Sequence, residues 1–172
     1  VREIFVDNMN IEVTGEGYRP EGTFSQTTKS LPTLLQIGAL NNDARLNGHE
    51  NEIFGDPTEG ALVVSALKGK VDKKILKMKY PRLKEFMFTS ERKRMTTIHN
   101  VNGKLMAYTK GAVDILLERC THMLVNGRKV PLTKEKKMII LNKNEAFAEK
   151  ALRVLAFAYK EINDVDKATA DN

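Results

Sequence analysis

The sequence predicts an α+β domain in which helices pack against a mostly antiparallel β-sheet. Two Asn-Gly pairs, Asn102-Gly103 and Asn126-Gly127, each separate short extended segments, as the tight turns of β-hairpins do. Segments with helical spacing of apolar residues lie before, between and after these hairpins. The chain has 172 residues, of which 41% are hydrophobic and 29% charged, which is enough for one domain with a real core.

The composition excludes several classes of protein. The longest apolar stretch, Ala61–Leu67, is far shorter than the roughly 20 residues that cross a bilayer. The N-terminus carries neither a signal peptide nor an initiating Met, so we expect residues 1–172 to be a single domain excised from a longer protein. The single cysteine, Cys120, allows no internal disulfide and fits a reducing, cytosolic setting. We interpret it as a packing residue rather than a nucleophile.

The first third of the chain predicts a hairpin, a loop and a helix. Ile4–Val13 is extended, and glycines and a proline break the pattern into a loop over residues 15–30. Apolar residues in Leu31–Leu40 recur at helical spacing, which predicts a core helix. The polar stretch Asn41–Glu52 then predicts a surface loop.

A second helix has a clear start signal. Asp56 is a suitable N-cap, Pro57 fits the first helical position, and Glu59 stands where a capping box places a carboxylate. The apolar residues that follow predict one inward-facing stripe, formed by Leu62, Val63, Ala66 and Leu67.

The two Asn-Gly turns predict two hairpins. The first pairs Met95–Val101 with Lys104–Lys110, and the second pairs His122–Val125 with Arg128–Val130. Two strands joined by a two-residue turn run antiparallel, so we expect the sheet to be largely antiparallel.

The remaining segments predict two helices, a strand and a tail. The helices are Val113–Cys120 and Thr133–Lys150. The inward residues expected for the second helix are Ile140, Phe147 and Ala151. Arg153–Tyr159 is apolar enough to predict a central closing strand, and residues 163–172 predict a frayed tail.

Common nucleotide and metal signatures are absent from the sequence. None of its glycines forms a Walker loop or a dinucleotide fingerprint. His49, His99 and His122 lack metal-ligand spacing with each other or with Cys120. No metal site is therefore predicted.

Four short segments carry residue types that a core does not require at those places. They are Gly55–Leu62 (GDPTEGAL), Phe88–Met95 (FTSERKRM), Lys110–Ala112 (KGA) and Leu152–Ala156 (LRVLA). In this order they resemble the nucleotide-binding domain of P-type cation-transporting ATPases, most closely the calcium-pump branch. The resemblance extends over about Ile4–Lys160. It implies an ATP-binding α+β domain on the cytoplasmic side of a membrane pump.

The resemblance also implies a set of ATP-binding residues. They are Glu59, Phe88, Lys93, Met95, Lys110, Gly111, Arg153 and Leu155, with Thr58, Ser90 and Arg92 as further candidates. Phe88 is expected to stack on the flat adenine ring, the alternative being a core residue. Glu59 is expected to accept a hydrogen bond from the adenine amine in addition to its place at the helix start.

Cations are expected near the base and the phosphates. Lys93 and Lys110 supply positive charge, and Gly111 permits close backbone approach beside them. Arg153 suits phosphate or ribose oxygens, the alternative being an edge arginine paired with an acid.

The remaining candidates form the pocket wall or replace a missing contact. Met95 and Leu155 are expected to form the apolar wall of the pocket, and core packing explains these two residues equally well. Ser90 stands where muscle-type calcium pumps carry an arginine. Arg92 or Arg94 is expected to replace that contact if strand alternation turns one of them into the pocket.

The family's phosphorylated Asp-Lys-Thr-Gly-Thr motif has no counterpart in the sequence. The resemblance therefore implies a domain that holds ATP and delivers its γ-phosphate to an aspartate on another domain, with Mg²⁺ arriving on the nucleotide. The implied partners are ATP and the phosphorylation and actuator domains of the same parent chain. We expect a monomer, with no nucleic acid and no direct membrane contact.

Two other functions stay open on the sequence alone. The net charge is +6, and its densest part, Lys68–Lys84, is either a polyanion-binding surface or an ordinary solvated helix face or loop. Only Tyr80 adds an aromatic there, whereas nucleic-acid modules interleave several. The third possibility is a protein-interaction domain that docks a regulator.

Overall fold

The computed structural model describes residues 1–47 and 52–170. Within these ranges the strands are β1 (Glu3–Val6), β2 (Met9–Glu12), β3 (Arg45–Asn47), β4 (Glu52–Phe54), β5 (Arg82–Phe86), β6 (Arg94–Val101), β7 (Lys104–Gly111), β8 (His122–Val125), β9 (Arg128–Pro131) and β10 (Ala156–Ile162). The helices are α1 (Leu31–Leu40), α2 (Pro57–Lys68), α3 (Lys73–Lys79), α4 (Val113–Arg119) and α5 (Lys134–Glu149). The prediction of an α+β fold is confirmed.

The largest sheet is four-stranded and antiparallel, with the order β10-β7-β6-β5, and it includes Met95, Lys110 and Gly111 of the predicted site. Over the described ranges, β1-β2, β3-β4 and β8-β9 form separate two-stranded sheets. Both Asn-Gly hairpins are confirmed, since Val101 pairs with Lys104 and Val125 pairs with Arg128. The turn residues adopt the positive φ that such turns require, for example 52° at Asn102.

Helix α1 is buried on two sides. One cluster joins it to the β1-β2 hairpin and consists of Ile4, Ile11, Val13, Leu31, Leu35, Ala39 and Ala66. A second joins it to the sheet and consists of Ile37, Leu40, Tyr80 and Tyr108. Because α1 is apolar nearly all round, it lies in the interior instead of covering one face of the domain.

Strand register determines which side chains face α1. Met95 on β6 lies opposite Lys110 on β7, and Phe157 on β10 lies opposite the same lysine on the other side. Directly opposed residues project from the same face of a sheet. Tyr108, two residues before Lys110, packs on α1, so all four side chains face that helix.

The prediction of a surface loop over Asn41–Glu52 is wrong for the residues of this segment that the structure describes. Asn41, Asn42 and Ala44 are fully buried, and the short strands β3 and β4 follow. Polar residues could be buried here because their amides hydrogen-bond to backbone carbonyls, as when Asn41 Nδ2 donates to the Met95 and Tyr108 oxygens at 2.9 and 2.6 Å. His49 lies outside the described residues.

The prediction of a central strand over Arg153–Tyr159 is also wrong. The strand begins at Ala156 and lies at the edge of the sheet beside β7, so Arg153 and Leu155 precede it. Its apolar character has another cause, since β10 packs against α1 and α4. Ala151, expected to face inward, lies beyond α5 with a φ of 58° and is exposed.

The basic stretch contains the edge strand β5 of the sheet, and the C-terminal segment hydrogen-bonds to that strand. Strand β5 and helix α3 occupy the basic stretch, which the sequence left as a helix face or loop. After β10, Lys84 Nζ donates hydrogen bonds to the carbonyl oxygens of Val165 and Ala168 at 3.1 and 3.0 Å. No helix in the described ranges is long and apolar enough to cross a membrane.

Candidate functional site

The N-terminus of α2 begins with two carboxylates that have different partners. Asp56 Oδ1 accepts hydrogen bonds from the backbone N–H groups of Thr58 and Glu59 at 2.8 and 3.1 Å, which is the N-cap that the sequence predicts. Burial opposes ionisation of Asp56, but these hydrogen bonds outweigh it and its pKa is lowered. Glu59 does not complete the capping box, because its carboxylate points to another segment.

Glu59 links three elements. Its Oε2 accepts hydrogen bonds from the backbone N–H groups of Asp43 and Ala44 at 2.8 and 3.1 Å. Its Oε1 forms an ion pair with Lys110 Nζ on β7. The carboxylate therefore binds the backbone after α1 on one side and the end of the sheet on the other.

Lys110 is buried, with 7% of its surface exposed. Besides Glu59, its ammonium donates a hydrogen bond to the Asn41 carbonyl oxygen at 2.6 Å. Burial lowers the pKa of Lys110, and the bond to Glu59 offsets part of that effect. Met95 is buried directly opposite in the register, so Glu59, Met95 and Lys110 lie together beneath the junction of α1 and α2.

Gly111 brings the loop before β6 against the end of β7. A Cβ added at Gly111 would lie 2.6 Å from the Lys93 carbonyl oxygen and 2.7 Å from Arg94 Cβ. The same carbonyl accepts a hydrogen bond from the Ala112 N–H at 3.0 Å. The close backbone approach expected at Gly111 is therefore present, and it holds the exposed Lys93 beside the buried pair.

Phe88 lies in the loop between β5 and β6 and is 59% exposed. The alternative that it is a core residue is wrong. Ser90 in the same loop is also exposed. Its neighbour Met87 is 68% exposed, so this loop presents adjacent apolar side chains to solvent.

Arg92 and Arg94 differ in the hydrogen bonds that their guanidinium groups form. Arg94 is buried and donates to the carbonyl oxygens of Arg92 and Ala170 at 3.3 and 3.0 Å. Arg92 donates from Nη1 to the Met87 carbonyl oxygen at 2.9 Å, while its Nε and Nη2 have no hydrogen-bond partner. These two nitrogens are buried, and the guanidinium lies over the Phe86 ring, 6.0 Å from its centroid.

The other predicted residues border a large cavity. Thr58, Arg153 and Leu155 line a space of about 1090 Å³ enclosed by the β1-β2 hairpin, β10 and several helices. Phe88, Lys93 and Lys110 do not line it. Arg153 is exposed and lies near Asp56, whose pKa its charge helps to lower. The first turn of α2 therefore stands between the two groups, with Thr58 toward the cavity and Glu59 toward Lys110.

Sequence reasoning missed the buried polar residues behind this site. Asn42 Nδ2 donates to the Gly38 and Glu59 carbonyl oxygens at 3.0 and 2.8 Å, and Lys73 Nζ binds the same segment. Two asparagines directly after an apolar helix were the available signal. Asn side chains compete well for backbone groups where a helix ends.

Several cationic side chains of the basic stretch Lys68–Lys84 are buried or bound within the protein. Lys73 is buried, Arg82 forms ion pairs with Asp43 and Glu85, and Lys84 is bound to the C-terminal carbonyls. These partners reduce the positive charge available to a polyanion. Within the described ranges no group of three His, Cys, Asp or Glu side chains is placed to hold a metal ion.

The arrangement combines an exposed aromatic face, several cations and one carboxylate. Such a set suits the binding of a planar heteroaromatic group with an anionic tail. Cys120 does not add a nucleophile, since burial raises the pKa of its thiol.

Comparison with known proteins gives consistent matches. The model of the family described as P-type ATPase, cytoplasmic domain N, matches residues 30–172. The chain is 42% identical over 131 residues to Calcium-transporting ATPase 1 of Lactococcus lactis, which covers 76% of this chain and 15% of that protein. It is 42% identical over 130 residues to Calcium-transporting ATPase 1 of Bacillus cereus, covering 76% of this chain and 14% of that protein.

A third relative aligns over a longer stretch. The chain is 35% identical over 178 residues to Cation-transporting ATPase pma1 of Synechocystis, covering 94% of this chain. That alignment takes in 19% of the relative. The chain thus spans less than a fifth of the length of the curated relatives it matches.

Proposed function

Because the chain belongs to the family of P-type ATPase cytoplasmic N domains, we propose that it binds ATP and positions the γ-phosphate for transfer to an aspartate on a separate phosphorylation domain. The parent protein in this proposal is a cation-transporting pump. Calcium is the proposed ion because relatives at 42% identity are named calcium-transporting ATPases.

One observation carries the proposal. Phe88 is 59% exposed on the loop between β5 and β6, and Lys93, at the end of that loop, has its carbonyl oxygen against Gly111, the residue after the Lys110 that pairs with Glu59. An adenine stacked on Phe88 has its exocyclic amine directed toward Glu59. Each carboxylate oxygen has two lone pairs, so Oε1 retains capacity for the amine beside its bond to Lys110.

The phosphates lie on the cationic side in this proposal. Lys93 lies on the loop that carries Phe88, and so does Arg92, whose Nε and Nη2 are buried and have no hydrogen-bond partner. Arg92 replaces the contact missing at Ser90, and Arg94 does not, because its donors bind backbone carbonyls. Arg153 approaches from the α2 side for phosphate or ribose oxygens.

The chemistry of transfer is assigned to the parent chain. Mg²⁺ arrives with ATP, and the accepting aspartate lies on another domain. The contribution of this domain is to hold the triphosphate in a productive orientation, which reduces the entropic part of the barrier.

The test is the affinity for ATP of F88A beside that of F54A. Phe54 on β4 is 58% exposed, so the two substitutions remove equal rings from equally exposed places. F88A is expected to weaken ATP binding about tenfold, since base–aromatic stacking contributes roughly 1–3 kcal/mol. F54A is expected to leave the affinity unchanged. Calorimetry measures both, and equal affinities for wild type and F88A would contradict the proposal.

A further inference from the structure

Lys73 is a buried lysine that the proposed mechanism does not use. It is the first residue of α3, whose N-cap Asp72 accepts a hydrogen bond from the Lys74 N–H at 2.7 Å. Only 7% of Lys73 is exposed. The next residue, Lys74, is exposed. The two adjacent lysines of this helix turn therefore differ in their surroundings, and only Lys73 has its charge inside the protein.

The Lys73 ammonium uses all three of its donors on one short segment. Nζ donates to the Asn42 carbonyl oxygen at 2.7 Å, to Asn42 Oδ1 at 3.1 Å and to the Ala44 carbonyl oxygen at 2.6 Å. An ammonium has three N–H groups and no acceptor, so its hydrogen bonding is complete. The chain between Asn42 and Ala44 is thereby curved around the cation.

The other side of the same segment holds Glu59. With the carbonyl groups of Asn42 and Ala44 directed at Lys73, the N–H groups of Asp43 and Ala44 point at Glu59 Oε2. Asn42 Oδ1 also accepts a hydrogen bond from the Ala44 N–H at 2.9 Å, which joins the two sides. A cation and a carboxylate are thus bound to opposite sides of one three-residue turn.

A buried cation in this place has a cost. Removing an ammonium from water is unfavourable unless its partners compensate, and an apolar side chain would fill the same space without that penalty. Burial lowers the pKa of Lys73 to about 8; Lys77 and Arg82 act in the same direction, and Glu59 and Asp43 oppose them. Because burying the Lys73 ammonium costs free energy, we attribute the presence of a lysine here to the conformation that it imposes on residues 42–44 and not to the stability of α3.

We propose that Lys73 is a positioning residue of the nucleotide site: it shapes residues 42–44 so that their N–H groups fix the Glu59 carboxylate in the orientation that meets both Lys110 and the adenine amine. The inference rests on the proposed function for its link to ATP. The coupling between Lys73 and Glu59 stands on the hydrogen bonds alone.

The first test is a double-mutant cycle on ATP affinity. K73M keeps a long unbranched side chain and removes the charge, E59Q removes the charge of the positioned group, and K74M is the control on an exposed neighbour. K73M is expected to weaken ATP binding about fivefold in the wild-type background and to have no effect in the E59Q background, since coupled residues are non-additive. K74M is expected to bind as wild type. Equal losses from K73M in both backgrounds would overturn the proposal.

A second measurement follows the carboxyl carbon of Glu59 by NMR without nucleotide. In the wild type, this resonance is expected to shift as the pH passes through about 8, where Lys73 loses its proton. In K73M, that shift is expected to be lost. Lys110 also pairs with Glu59 and has a lowered pKa, so the wild-type shift is assigned by following the Lys73 Cε resonance in the same titration. A Glu59 resonance that stays constant while Lys73 titrates overturns the proposal even if K73M fails to fold.

The two tests separate this inference from the proposed function. If the wild-type domain does not bind ATP but the Glu59 resonance titrates with Lys73, the assignment of ATP fails and the positioning of Glu59 stands. If ATP binds and the resonance does not respond, the role of Lys73 fails and the proposed function stands.

Discussion

Glu59 and Lys110 form a buried ion pair, and each of the two charged groups also hydrogen-bonds to the backbone. The carboxylate accepts from two backbone N–H groups, and the ammonium donates to the Asn41 carbonyl. Buried pairs stabilise a fold only when such additional bonds compensate for lost hydration. A rigid pair of this kind presents charge in one fixed orientation, which is what recognition of a single base requires.

His99 is a second buried titratable group, and it makes stability depend on pH. Its Nδ1–H donates to the Tyr80 carbonyl oxygen at 3.1 Å, and its Nε2 accepts from the Thr97 hydroxyl at 2.9 Å, so the ring is held neutral. Burial lowers its pKa to about 4 from the ordinary 6.5.

Between these two pH values the unfolded chain binds a proton that the folded chain does not. The free energy of unfolding is therefore expected to fall as the pH is lowered from 6.5 to 4, with a contribution from His99 approaching about 1.4 kcal/mol per pH unit. Urea denaturation at several pH values measures this slope. H99Q is expected to remove that contribution, whereas a variant of the exposed His122 is expected to keep it. Identical slopes for wild type and H99Q would contradict the assignment.

At the level of elements, the contact between the end of β7 and the loop before β6 has no room for a side chain. Ala at Gly111 would place its Cβ 2.6 Å from the Lys93 carbonyl oxygen and 3.0 Å from Arg94 Cα, and because these are backbone atoms they have little freedom to move away. G111A is therefore expected to destabilise the domain by roughly 1–3 kcal/mol and to weaken ATP binding. Chemical denaturation and calorimetry measure the two effects.

Gly38 in α1 supplies the matched control. A Cβ there meets Phe157 at 3.6 Å and Leu62 at 3.8 Å, which is ordinary contact. Because glycine in a helix interior costs up to about 1 kcal/mol relative to alanine, G38A is expected to be neutral or stabilising. A G111A variant as stable as G38A would show that the approach at Gly111 is not tight.

Helix α1 organises the other elements. Its two apolar sides join the N-terminal hairpin to the sheet, and its last turn leads into the buried segment that Lys73, Glu59 and Lys110 all contact. The site therefore lies where α1, α2, α3 and β7 converge. A change in the position of α1 relative to the sheet would move every one of these contacts together.

At the scale of the whole molecule, the proposed role separates nucleotide binding from phosphoryl transfer. No metal-binding group of His, Cys, Asp or Glu is present in the described ranges, and the proposed phosphate contacts are Lys93, Arg92 and Arg153. Removal of Mg²⁺ with EDTA is therefore expected to change the ATP affinity of the domain by less than about threefold, since the cations bind the triphosphate directly.

Calorimetry with ATP in Mg²⁺ and in EDTA measures this. The ATP affinity of F88A is measured in both buffers as well. A similar loss of affinity in each buffer shows that ATP occupies the same site with and without Mg²⁺. A loss of binding of about tenfold or more on chelation would mean that the domain itself coordinates the metal.

Much of the local structure could be predicted because its causes are local. The Asn-Gly turns, the Asp56 cap and the apolar spacing of α1 each depend on residues no more than a few positions apart. Phe88 is exposed and Gly111 makes a close backbone approach, while the roles of both residues in ATP binding stay predictions.

The sequence by itself determined helices α1, α2, α4 and α5, the hairpins β1-β2, β6-β7 and β8-β9, and the motifs that mark the family, because turns, caps and periodicity involve neighbours along the chain. It did not reveal β3, β4, β5 or α3. Only the tertiary structure decided that Glu59 turns from its own helix to Lys110, that Lys73 binds Asn42, and that β10 lies at an edge. These partners are 51 and 31 residues apart in sequence. No local pattern encodes such a pairing, since it depends on how α1 packs the separate elements into one core.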